Sequence, residues 1–87
     1  MQMICHHEVT NFDDWKAAFD ADHAARHAAG LTVLQVWKDA DSNTHAFFLL
    51  SVNDRDKAQG WIERSNALAG DDAGTVRHAS AYFLETA

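Results

Sequence analysis

The sequence predicts an α+β fold: a four-stranded antiparallel sheet with two helices packed on one of its faces. Three observations carry the prediction. The stretch His45–Val52 (HAFFLLSV) has six apolar residues in eight, with Phe47 and Leu49 on one parity and Ala46, Phe48, Leu50 and Val52 on the other. A run of this kind, without Gly or Pro, reads as a central strand covered on both faces. Only two segments have helical periodicity, one from Phe12 to Ala29 and one opening at Asn53 or Asp54. The strand-like and helix-like segments follow the order β-α-β-β-α-β, and right-handed crossovers put both helices of such a chain on the same face.

Taken in order, residues 3–9 (MICHHEV) alternate, with Met3, Cys5, His7 and Val9 on the more apolar side. His7 is therefore expected to be covered, and His6 to lie at an edge or in solvent. Asn11 or Asp13 can cap the helix that follows, and Asp13 and Asp14 sit at the positive end of its dipole. That helix is rich in alanine and has no β-branched residue through Ala29. Phe12, Trp15 and Phe19 form its apolar stripe with Ala18, Ala25 and Ala29 beside it, and Gly30 stands where a C′ glycine ends a helix.

Leu31–Lys38 (LTVLQVWK) is the second strand, joined to His45–Val52 by the turn chemistry of residues 39–44 (DADSNT). In the second helix Ala58, Trp61, Ile62, Ser65 and Leu68 form the inward side, and Gly60 lowers helical propensity by ~1 kcal/mol. Residues 66–74 (NALAGDDAG) read as a short turn followed by loop. Residues 75–85 close the chain as a strand, with Val76, His78, Ser80, Tyr82 and Leu84 opposite in parity to Arg77, Ala79, Ala81 and Phe83. The order is that of a ferredoxin-like domain.

At 87 residues there is room for one domain, 1–87. A chain of this size buries only about 60–65% of the surface its unfolded form exposes. Cys5 is the one cysteine, so no disulfide within the chain can compensate. A homodimer would, and it would cover the second face of the sheet. The formal charge of −6, with no basic run, argues against a nucleic-acid partner. No stretch approaches the ~18 apolar residues of a membrane span, and no basic region precedes a long apolar one at the start, so a soluble, cytoplasmic protein is expected. A nucleotide cofactor is not expected either, since no glycine-rich phosphate loop follows a strand.

Several motifs carry a resemblance over nearly the whole chain: His6-His7-Glu8-Val9, Phe12-Asp13-Asp14-Trp15-Lys16, Phe19-Asp20, Asp22-His23, Arg26 to Gly30, Val36-Trp37-Lys38-Asp39-Ala40-Asp41 and Phe83-Leu84-Glu85. The chain resembles the dimeric α+β barrel superfamily that contains the antibiotic-biosynthesis monooxygenases, in its small-protein branch. The resemblance implies two subunits stacked sheet to sheet into a barrel, with a pocket in each protomer between helices and sheet. It also implies cofactor-independent chemistry, monooxygenation, isomerisation or cyclisation, on a small aromatic or keto compound. The quinone-forming monooxygenases of that superfamily use an Asn, Trp and Tyr set that is not found in full here. Trp61 is comparable with the helix tryptophan of those enzymes and of the haem-degrading branch. That branch, however, has an asparagine where this first strand offers histidines, and the second helix here has no histidine to ligate iron.

Among the polar residues, Asp22 and Arg26 lie four apart within the apolar stripe of the first helix and can pair. The pair is either a salt bridge with its stems on the core or a pocket wall where Arg26 receives a carboxylate or enolate. His23 and His27 share that spacing on the flank, where solvated histidines are the simpler reading than a metal site without a third ligand. His7 and His78 lie in the first and last strands, which are neighbours in this topology. Each is a candidate general base, or a hydrogen-bonded core or interface histidine. Tyr82 shares the His78 parity and is a candidate to orient a ligand, or to pair across a dimer; Trp15, Phe19 and Trp61 are candidates to line a pocket with Arg26 between the first helix and the sheet. Cys5 reads as a buried, inert thiol. Two functional classes follow: a small enzyme using His7, His78 and Arg26, or a non-catalytic ligand-binding or structural homodimer. Convergence of those three groups on one free volume would favour the first; their mutual satisfaction inside a packed interior would favour the second.

Overall fold

The computed structural model describes residues 1–69 and 75–87, with 65–69 described by their backbone. Its elements are β1 (Gln2–Val9), α1 (Phe12–Ala21), α2 (His23–Ala28), β2 (Leu31–Lys38), β3 (His45–Val52), α3 (Arg55–Ala69) and β4 (Val76–Leu84). The four strands form one antiparallel sheet in the order β2-β3-β1-β4, the ferredoxin-like order, with the helices on one face. No helix among the described residues is long and apolar enough to cross a membrane.

Parity along the strands sorts the two faces. Met3, Cys5, His7 and Val9 of β1 and Ala46, Phe48, Leu50 and Val52 of β3 are buried beneath the helices. Trp15 and Phe19 of α1, Ala29 after α2, and Ala58 and Trp61 of α3 close over them. Phe48 is the centre of this core, contacting His7, Trp15, Phe19 and Trp61 with ring centroids 5.0, 5.7, 5.0 and 6.5 Å away. At ~2–3 kcal/mol for each fully buried large apolar side chain, this cluster is the main source of stability in the chain.

Local chemistry sets the element boundaries. The Asn11 side chain accepts from the Asp13 and Asp14 amides at 2.9 and 3.2 Å, capping α1. Asp54 accepts from the Lys57 amide at 3.1 Å and does the same for α3. The first helix is not continuous to Ala29, as its alanine content predicts. Asp22 turns the chain between α1 and α2, and its amide is shared by the Ala18 and Phe19 carbonyls at 3.2 Å each. The turn lets Arg26 and Ala29 become buried, a tertiary demand that local propensity does not register. Gly30 then adopts φ 72°, the left-handed C′ conformation. Asn66 and the three residues after it continue α3 instead of ending it; the rest of the expected loop, 70–74, and the side chains of Ser65 and Leu68 fall outside what is described.

Candidate functional site

His7 stands near the C-terminal end of β1 between two small neighbours, Ala46 on β3 and Ala79 on β4. The room left by those alanines decides what surrounds the imidazole. On the α1 side, Trp15 fills it: its indole Nε1 donates to His7 Nδ1 at 3.1 Å. Trp15 stacks on Phe19 with centroids 4.8 Å apart, and the Arg26 guanidinium lies 3.8 Å above the Phe19 ring. The row Arg26–Phe19–Trp15–His7 is thus a packed stack. Arg26 is 4% exposed, and burial lowers its pKa against the opposing influence of Asp22 and Asp20. Its cationic face is met by an aromatic ring and not by the expected Asp22 carboxylate, since among the described residues the one ion pair is Lys16 to Asp20 at 2.7 Å. Asp22, at the turn between the two helices, is exposed.

On the opposite side of His7, beneath α3, a crevice opens. Cys5, His7, Trp61, Ile62 and residues 79–81 of β4 line it. It exists because Ala79 and Ala81 stand opposite His7 and Cys5 and leave the space below α3 unfilled. Its volume, about 10 Å³, is close to the least that holds one water molecule. Of the lining expected for a pocket against α1, Trp15, Phe19 and Arg26 pack on one another, while Trp61 and His7 line the crevice.

The electrostatics of this place are those of a dry interior. Burial, helped by the nearby charge of His6, lowers the His7 pKa from 6.5 to about 4. Burial pushes the Cys5 thiol up to about 12. Trp Nε1 can only donate, so His7 Nδ1 accepts, and in the neutral ring the proton sits on Nε2. No buried side-chain nitrogen or oxygen among the described residues lacks a partner, and His7 is one of the residues that line the crevice. In that state Nε2 carries a proton that it can give in a hydrogen bond.

His78 does not join it. The register pairs His78 with Glu8 and His7 with Ala79, so the two histidines face opposite sides of the sheet. Tyr82 lies with His78 on the face away from the helices and is 63% exposed. There, His6 Nε2 and His45 Nδ1 share a hydrogen bond of 2.9 Å, and the His6 ring stacks on Phe47 at 4.7 Å. The common parity of His6 and Phe47 with their strands' outer faces is readable in the sequence, whereas their register is not. His23 and His27 are exposed, and no group of three metal-ligating side chains among the described residues is placed to hold an ion.

No family model and no curated protein matches the chain. Among solved structures it is similar to SCO4226 from Streptomyces coelicolor A3(2), with a TM-score of 0.58 at 16% identity, covering 99% of this chain and 100% of that one. The likeness is one of fold, and it extends end to end.

Proposed function

We propose that the protein is a homodimer closed over the open face of its sheet, as in a dimeric α+β barrel, and that it acts as a small-ligand-binding or structural dimer. The observation that supports this reading is the face itself. Trp37, Phe47, Tyr82 and Leu84 are exposed there, and Ile4 and Leu49 are half-buried between them. His6, His45 and Phe47 lie as near-parallel stacked rings over the strands, a flat tile suited to a second sheet. Covering several large apolar side chains at ~25 cal/mol per Å² contributes several kcal/mol, comparable with the whole stability of a small domain. Light scattering after size exclusion tests it: the parent should have twice the 9.7 kDa chain mass, and Phe47→Glu with Tyr82→Glu should be a folded monomer. A folded parent of single-chain mass would remove the proposal.

A second reading has its own support. His7, with one ring nitrogen fixed by Trp15 and the other facing a crevice, has the form of a catalytic side chain held in one orientation. On that reading the protein is a cofactor-independent monooxygenase- or isomerase-like enzyme acting on a small aromatic or keto compound, with Trp61 against the substrate. Arg26 and His78 lie elsewhere and have no part in it. Saturable changes in tryptophan fluorescence with keto compounds, lost in His7→Ala and in Trp61→Phe, would support this reading; an unchanged response in the His7 variant would count against it.

A further inference from the structure

The crevice beside His7 has the size of one water molecule, which is also the size of one ligand oxygen. Its polar lining comes from Cys5, His7, Trp61 and Ser80, and the Cys5 thiol, held protonated by burial, is a weak donor. The strong side-chain donors of that lining are the Trp61 indole N–H and the His7 ring N–H, and only the latter has its proton position fixed by a neighbour. Its proton is assigned by geometry, because Trp15 offers Nδ1 an N–H and nothing else. We propose that His7 presents Nε2–H to the crevice as a fixed, neutral hydrogen-bond donor for a single ligand oxygen, the carbonyl or enolate end of a small organic molecule. Trp15 is the positioning residue that fixes the tautomer. The body of the ligand lies on the open side of the crevice, between α3 and β4.

This inference deepens the ligand-site reading of His7 and rests on it. It reverses the role that residue type alone gives the histidine. A base would accept a proton at Nε2; this ring has one there and gives a hydrogen bond instead. The lowered pKa keeps the donor neutral through the physiological range, so recognition of the oxygen should not change with pH from about 5 to about 8. His6, whose charge adds to the effect of burial on His7, belongs to the opposite face of the sheet.

The test uses proton–nitrogen correlation spectra of the intact protein labelled at histidine, with cyclohexanone as probe and methylenecyclohexane, which lacks the oxygen, as its isostere. His7 should show the Nε2–H tautomer over the whole range, and cyclohexanone should shift that resonance saturably while the isostere does not. Trp15→Phe should mix the tautomers and weaken cyclohexanone in proportion to the Nε2–H form lost, about twofold for an even mixture. Should that variant fail to fold, Ile62→Trp serves in its place: it should fill the crevice and abolish the cyclohexanone shift while the tautomer stays as it is. An Nδ1–H tautomer, a His7 titration near neutrality, or equal shifts from both probes would overturn the donor role. The right tautomer with no shift from either probe would overturn the ligand site itself, and the proposal with it.

Discussion

At the scale of single residues, His7 couples stability to pH. Its folded pKa of about 4 lies below the ordinary 6.5, so across that interval the unfolded chain binds a proton that the folded chain refuses. The group's contribution is therefore complete above about pH 6.5 and is lost as pH falls toward about 4. At about 1.4 kcal/mol per pH unit the loss is on the order of 3 kcal/mol. Urea titrations at stepped pH should show it, and His7→Gln, which cannot titrate, should flatten that interval. An equal acid sensitivity in the variant would assign the effect to the carboxylates. Cys5 offers a second check: with its thiol pushed up to about 12, iodoacetamide at neutral pH should leave it unmodified until the chain unfolds. Parity in the sequence is enough to bury His7 and Cys5. The Trp15 bond is not legible there, because it depends on how far α1 sits above β1, and it decides which ring nitrogen keeps the proton.

At the scale of elements, strand limits and caps follow closely from local chemistry, since turn residues and N-caps act through neighbours in sequence. The strands 31–38 and 45–52 have the limits their patterns predict, and Gly30 ends α2 as expected. Gly30→Ala should be costly: φ 72° is unfavourable for an L side chain, and its Cβ would meet Asn53 Cβ at 3.4 Å. A loss of about 1–2 kcal/mol is expected in thermal or chemical unfolding. Asn11→Ala should cost about 1 kcal/mol through the two amides it leaves without a side-chain acceptor. A neutral outcome for either would mean that these ends contribute little to the fold. The split at Asp22 is not legible in the sequence. Alanine-rich sequence favours a continuous helix, and only the demand to bury Arg26 over Phe19 and Ala29 near β2 explains the turn. Where the sequence predicts a pocket, Trp15, Phe19 and Arg26 pack on one another, and a crevice lies beneath α3, where Ala79 and Ala81 leave space.

At the scale of the whole molecule, the sheet is apolar on both sides and the helices cover one of them. The alternation in His45–Val52 makes that legible from the residues alone, because parity assigns faces without needing register. What parity cannot assign is whether His7 and His78 meet; that requires the β1–β4 register, which sets them on opposite faces. The unaccompanied face, with Trp37, Phe47, Tyr82 and Leu84 exposed, is the ground for a sheet-to-sheet dimer. Its most direct test is an isotope-filtered nuclear Overhauser experiment on an equal mixture of labelled and unlabelled chains. The account predicts cross-chain contacts among the side chains of Trp37, Phe47, Tyr82 and Leu84; cross-chain contacts confined to the helices, or none at all, would contradict it.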